Sequence, residues 1–292
     1  SNMIGWKDDI VDKLNKGVEH LLKSAGVEMV NGWAEFQDAK TVKVGKGKDA
    51  LIIEGENVIL ANGSVPVELP FMKYGNNVIS SREALSLPEL PEHVVVVGGG
   101  YIGLELGITY KMLGSDVTIV EAEDSILPIF DKELRRPLEL FVKKNKIKVN
   151  TGVFAKGVED TKDGKTKLFF IDKNAKEGTK PEEILADKIL VTVGRKPNSD
   201  ALKPTGVALN ERGFVKVNNR CETNMKGVYA IGDVCDSGEM LAHVASFQGE
   251  MVAEIISGKK RAYDPVAVPA IVFTEPEIVS VGLSPEQAKE QG

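Results

Sequence analysis

The stretch Val94-Val95-Val96-Val97-Gly98-Gly99-Gly100-Tyr101-Ile102-Gly103-Leu104-Glu105-Leu106-Gly107 decides the fold. Four consecutive valines read as a buried-type strand, the glycines as a tight turn, and the apolar spacing after them as a helix. A second strand at 117–120 comes next and ends in the acid Glu121. A glycine pattern in that strand–turn–helix context, with the acid about twenty residues on, is a dinucleotide-binding fingerprint; a turn that merely packs is the competing reading. Each glycine has a mechanical reason. Gly98 serves the tight turn, Gly100 lets backbone approach a pyrophosphate, and Gly103 allows close packing of helix on strand. The pyrophosphate then sits at the helix N-terminus, beside Tyr101 and Ile102, where the backbone N–H groups of a first turn and the positive dipole end favour an anion. Glu121 is placed to take the adenosine ribose hydroxyls.

Working outward, residues 94–194 read as one α/β unit: a helix at 131–144, a short strand at 147–149, a hairpin turning at Lys162-Asp163-Gly164-Lys165, and a closing strand from Lys188 to Gly194 and Arg195. Upstream, Ile10, Val11, Leu14, Val18, Leu21 and Leu22 recur at helical spacing ahead of Gly26, a C-terminal cap. The period then changes. Stretches 27–30, 33–36, 41–44 and 51–53 read as strands of a meander, and 58–64 as a buried-type strand ending in the polar turn Asn62-Gly63-Ser64. Pro66 and Pro70, then Pro88 and Pro91, mark linkers. Downstream, Gly227-Val228-Tyr229-Ala230-Ile231-Gly232-Asp233 repeats strand-then-glycine with an acid attached, a helix spans 240–256, and 271–273 and 278–281 begin something new. The implied divisions are 1–64, 65–194, 195–264 and 265–292.

Composition narrows the class. With 292 residues, 42% hydrophobic and 27% charged, the chain has room for about two domains of ordinary globular make-up. It holds no run of about 18 apolar residues and no cationic, apolar leader, so a membrane partner is not expected. Ser1-Asn2 ahead of Met3 reads as a remnant of expression. A net charge of −6 spread over short mixed patches argues against nucleic acid. Only Cys221 and Cys235 are present, without histidines at ligand spacing, which disfavours a zinc site or disulfide scaffold and fits a reducing, cytoplasmic compartment. They read as small apolar or semi-exposed thiols. His20 and His93 read as surface residues.

Together these segments resemble the FAD-dependent pyridine nucleotide-disulfide oxidoreductases, most closely the branch that oxidises dihydrolipoamide, over essentially the whole chain. The motifs that carry the resemblance are the glycine fingerprint with Glu121, the turns LANGS (60–64) and VTVGRKPN (191–198), the segment VYAIGDV (228–234), Met240-Leu241-Ala242-His243 ahead of a helix, and Phe273-Thr274-Glu275-Pro276-Glu277-Ile278. The implied fold is α/β, a Rossmann-like NAD-binding domain flanked by partial FAD-binding segments and the opening of a dimer-interface domain. Asp233 resembles the acid that holds the flavin ribityl chain, with capping of its own turn as the plainer alternative. Met240, Leu241, Ala242 and His243 bring backbone N–H groups to the flavin pyrimidine edge, and Ala34 lies on the strand that passes the FAD adenine. Glu105 resembles the carboxylate near the nicotinamide amide, or else is a half-buried acid paired with a lysine. Val153 and Gly194 match backbone contacts to NAD. Asn62 departs from the family's threonine while keeping a side-chain hydrogen-bonding group for the turn that Gly63 and Ser64 complete.

The family passes electrons from a dithiol through a redox-active cysteine pair and flavin to NAD. The resemblance implies that those cysteines and the FAD pyrophosphate loop lie upstream of Ser1, and the catalytic His-Glu pair beyond Gly292, so that no catalytic residue is expected in this chain. Dihydrolipoamide of 2-oxo acid dehydrogenase complexes is the implied partner and a homodimer the implied assembly. Mercuric reductase, soluble transhydrogenase and NADH oxidase share this middle region and remain alternatives, as does a non-catalytic NAD-binding scaffold.

Overall fold

A computed structural model describes residues 2–292, the Lys48 side chain excepted; Ser1, read with Asn2 as an expression remnant, lies outside the described residues. The chain opens with α1 (Asn2–Ser24). It closes on Gly26 at φ +72°, whose N–H donates to Lys23 O while Val27 N–H reaches Leu22 O. A left-handed residue satisfies those last carbonyls, and glycine adopts it without a Cβ penalty. β1 (Ala34–Phe36), β2 (Thr41–Val44) and β3 (Leu51–Glu54) form an antiparallel sheet. The strand expected at 27–30 is absent. Val27 and Val30 are exposed there, and no ladder partner satisfies their backbone. β4 (Val58–Leu60) and β5 (Ser64–Pro66) come next.

The next stretch holds β6 (Val78–Ile79), α2 (Ser81–Ala84), β7 (His93–Val97), α3 (Tyr101–Leu113), β8 (Asp116–Val120), α4 (Lys132–Lys144), β9 (Lys148–Asn150), β10 (Val153–Asp160), β11 (Thr166–Asp172), β12 (Glu182–Ala186) and β13 (Lys188–Val191). Five of these strands make one parallel sheet in the order β6-β13-β7-β8-β9. The four valines explain its centre, because side chains alternate across a strand. Val94 and Val96 pack with Leu104, Ile108 and Leu138 of the helices, whereas Val95 and Val97 pack with Leu168 and Phe170 of the antiparallel β10–β12 sheet. Burying each such side chain contributes about 1.5–3 kcal/mol. The sequence shows the β10–β11 hairpin but not β12, whose Glu182-Glu183 start carries no strand signal.

β14 (Arg195–Pro197) pairs with β5, and β15 (Val228–Ala230) runs parallel to β4. A tight turn over Gly232–Val234 then leads into α5 (Ala242–Ile256). β16 (Pro269–Val272) and β17 (Ile278–Val281) form a hairpin, and α6 (Pro285–Glu290) ends the chain. Two compact units result: residues 2–8 with Pro66–Gly194 and Ala267–Gly292, and Asp9–Val65 with Arg195–Val266. In the first, Val272 and Ile278 join the same apolar cluster as Val94 and Leu104. α1 buries none of its described side chains, and Trp6, Leu14 and Leu21 of its apolar stripe face solvent.

Candidate functional site: a glycine cradle and a fixed carboxylate

The fingerprint glycines divide by cause. Gly98 has φ +107°, and a Cβ there would lie 2.6 Å from Thr192 O. At Gly103 a Cβ would lie 2.1 Å from Gly98 O and 2.6 Å from Thr192 Oγ1. Packing within the protein therefore forbids a side chain at both. At Gly100 a Cβ would meet nothing within 4 Å, so the space in front of it is open to a ligand. Gly100 caps α3 without any side-chain hydrogen bond, leaving the positive end of the helix facing that opening. Tyr101 and Ile102 form the first turn behind it.

Glu121, 8% exposed, is locked against this loop. Gly99 N–H donates to its Oε2 at 2.5 Å and Glu123 N–H to its Oε1 at 2.7 Å. Val153 N–H donates to Glu121 O at 3.0 Å, which brings the start of β10 beside the acid. Gly194, at φ +121°, accepts from Val67 N–H through its carbonyl. Of the acids after Glu121, Asp124 is paired with Lys173. Glu105 is not paired with a lysine: its Oε1 accepts the Phe273 N–H at 2.9 Å. Thr192 is a site residue that the sequence reading missed. Its hydroxyl shares its one proton between Gly98 O at 3.0 Å and Val97 O at 3.2 Å, tying β13 to the glycine turn, and nothing in its spacing signals that role. A cavity of about 490 Å³ opens between α4 and β9, lined by Asp124, Ile126, Val142, Lys143, Val149 and Thr151. None of the expected site residues lines it.

The second unit holds the residues expected on the flavin side. Asp233 does not cap its own turn; its Oδ2 accepts from the Ser64 hydroxyl at 2.6 Å, 169 positions away. Arg195 donates from Nε to Ser64 Oγ and from Nη2 to Ser64 O, each at 2.7 Å. The preceding turn is held through its backbone carbonyls rather than by the Asn62 side chain expected to support it: Asn198 N–H donates to Gly63 O at 2.9 Å, and the Asn198 side-chain Nδ2 to Asn62 O at 3.3 Å. Ala34 begins β1 opposite Val44. Leu241 caps α5 with extended backbone and no side-chain bond, so the N–H groups after Met240 and Leu241, at Ala242 and His243, open the helix uncapped. The His243 ring is exposed.

Both cysteines are buried and unpaired, which removes the semi-exposed reading. Burial, with the neighbouring Cys235, pushes the Cys221 thiol up to about 12, and burial raises Cys235 as well. Such thiols carry little thiolate near neutral pH and are poor nucleophiles. His93 is half-buried rather than free at the surface, its ring bonded to Leu185 O at 2.8 Å and Thr118 Oγ1 at 2.9 Å. Among the described residues no group of three His, Cys, Asp or Glu side chains is arranged to hold a metal, and no helix is long and apolar enough to cross a membrane.

A parallel sheet whose central strand runs through a glycine turn into a helix defines an α/β fold of the dinucleotide-binding type. Residues 2–249 match the pyridine nucleotide-disulphide oxidoreductases, and the chain belongs to that family, which uses FAD and NAD. It is 47% identical to a dihydrolipoyl dehydrogenase of Pseudomonas aeruginosa, over 99% of this chain and 61% of that protein. To the dihydrolipoyl dehydrogenase of Geobacillus stearothermophilus it is 44% identical, over 98% of this chain and 60% of the relative. Among solved structures, the HOCl-induced flavoprotein disulfide reductase RclA from Escherichia coli superposes with a TM-score of 0.86 at 28% identity, covering 99% of this chain and 65% of that one. LpdA from Mycobacterium tuberculosis gives 0.87 at 25% identity, covering 97% and 62%. The chain thus spans about 60% of the length of the curated relatives it matches.

Proposed function

We propose that this chain is the NAD-binding and flavin-contacting part of an enzyme that passes electrons from dihydrolipoamide, through a disulfide and FAD, to NAD. The 47% identity to a dihydrolipoyl dehydrogenase along nearly the whole chain carries the reading, and the open space at Gly100 supports it independently. The nicotinamide, when bound, supplies the hydride acceptor. Around it the chain's own groups bind and orient: Gly100 and the α3 N-terminus receive the pyrophosphate, Glu121 takes the ribose hydroxyls, Glu105 faces the nicotinamide amide, and Val153 and Gly194 contribute backbone contacts. On the flavin side Asp233 accepts ribityl hydroxyls, Ala34 passes the adenine, the Asn62-Gly63-Ser64 turn supports the acid, and Met240, Ala242 and His243 offer N–H donors to the pyrimidine edge, the Leu241 N–H being already given to Glu239 O.

Taken alone, the chain binds NAD and does not oxidise dihydrolipoamide, because its two thiols are buried and largely un-ionised. The substrate in the whole enzyme is dihydrolipoamide carried by 2-oxo acid dehydrogenase complexes, the assembly a homodimer and the compartment the cytoplasm. Calorimetric titration of the 292-residue chain with NAD, alongside a lipoamide assay, tests this. Saturable NAD binding without turnover is expected. No heat of binding with millimolar NAD would overturn the reading.

A further inference from the structure

Asp233 sits in a turn whose backbone is already fixed: Gly232 has φ +67°, its N–H donates to Gln248 Oε1 at 2.7 Å, and Cys235 N–H returns to Gly232 O at 3.1 Å. The direction of the carboxylate is a separate matter. It is set through Ser64, and the polarity of that link has no freedom. A guanidinium only donates and a carboxylate only accepts. With Arg195 Nε donating to Ser64 Oγ at 2.7 Å, the serine proton must point along the 2.6 Å contact to Asp233 Oδ2. The second fork of Arg195, Nη2 to Ser64 O at 2.7 Å, prevents the guanidinium from swinging away. Asp233 Oδ1 makes no hydrogen bond to the described residues, and the side chain is half-buried rather than enclosed.

We propose that Arg195 and Ser64 are positioning residues for Asp233, holding Oδ2 against the protein so that Oδ1 is presented in one orientation to a hydroxyl of the flavin sugar-alcohol chain. This rests on the flavin role proposed for Asp233. A lone aspartate on a turn samples several rotamers and loses that freedom when a ligand binds. Here the freedom is already lost, and the arginine charge is carried to the carboxylate through a polarised hydroxyl. Arg195 comes directly after Gly194, the last residue of the first unit's central segment, so the orienting group lies at the point where the chain enters the second unit.

The test uses the 292-residue chain. Hydrogen exchange at the Arg195 Nε–H, monitored by nitrogen-15 NMR, reads the relay without any ligand, and FAD fluorescence quenching reads its consequence. Slow Nε–H exchange is expected in the wild type, at least about tenfold faster exchange in Ser64→Ala, and restoration in Ser64→Thr. FAD affinity should fall about tenfold or more in Ser64→Ala, recover in Ser64→Thr, and be insensitive to Ser64→Ala once Asp233→Ala is present. A merely structural serine would give additive losses in that cycle, and additivity overturns the proposal. So does unchanged Nε–H exchange in Ser64→Ala. If exchange shows the expected pattern while FAD affinity is the same in wild type and Asp233→Ala, the flavin role of Asp233 is what fails, and the relay is retained as a structural link only.

Discussion

The Glu105 carboxylate accepts the backbone N–H of Phe273 at 2.9 Å, across 168 residues of sequence, so the acid on the fingerprint helix is tied to the C-terminal hairpin. One carboxylate oxygen is thereby committed to the protein. Replacing Glu105 with alanine leaves that N–H to water, since Phe273 is well exposed, and a modest loss of about 0.5–1.5 kcal/mol is expected rather than unfolding. Hydrogen exchange at the Phe273 amide is the measurement. Its protection should drop in Glu105→Ala and persist in Glu105→Gln, whose carbonyl still accepts.

Gly100 and Gly103 separate ligand binding from folding. Alanine at Gly103 drives a methyl to 2.1 Å from a backbone oxygen, which neither the strand nor the helix can relieve by a rotamer change. A cost of about 1–3 kcal/mol or more is expected, seen as a lower urea midpoint, with NAD binding lost as the cradle deforms. Alanine at Gly100 meets no atom within 4 Å and keeps an ordinary negative φ. Its stability should fall by no more than about 1 kcal/mol, the cost of a poorer helix cap, while NAD affinity falls. Equal NAD binding by Gly100→Ala and wild type would remove the pyrophosphate from that position.

The parallel sheet was legible because one signal is redundant in it: Val94 to Val97 state burial on both faces, and the glycines mark the turn into α3. The turn into α3 was legible for the same reason, because the left-handed backbone at Gly98 and the close packing at Gly103 each admit only glycine. The site was not legible where one side chain acts across distant sequence. Neither the Ser64–Asp233 contact nor the Thr192 clamp on Gly98 has a local pattern, since both depend on how strands are brought together. The missing strand at 27–30 shows the converse. β-branched residues suit a strand, but with no partner to complete the ladder the segment stays irregular.

Nucleotide preference should favour NAD over NADP. Glu121 is buried and fixed by two backbone N–H groups, so it cannot swing aside for a 2′-phosphate, and Glu123 stands next to it. Asp124 contributes less than its position in the sequence suggests, because Lys173 neutralises it. A preference of about tenfold to a hundredfold is expected from one uncompensated repulsion and the lost ribose bonds. Isothermal titration with the two nucleotides checks it, and equal affinities would count against the assignment of Glu121. Lys173→Ala should widen the preference by freeing the charge of Asp124.

Stability should decline in alkaline solution through Cys221. Its thiol titrates at about 12 in the folded chain against an ordinary 9.0, chiefly because burial disfavours the thiolate. A group whose folded pKa is raised contributes its full stabilisation below the unfolded value and loses it as pH rises toward the folded one. The window is therefore about pH 9 to 12, with a slope of up to about 1.4 kcal/mol per unit. Tyr110 is raised by burial too and titrates at alkaline pH, so the informative quantity is the difference between wild type and Cys221→Ala. Urea unfolding at pH 8, 9, 10 and 11 should give a gap between them that is constant up to about pH 9 and then shrinks. In the same preparations a disulfide-exchange reagent should label no thiol in the native chain at pH 7.5 and two after unfolding. Rapid labelling of the native chain, or a gap that does not change with pH, would show that Cys221 is not a buried, thiolate-poor group.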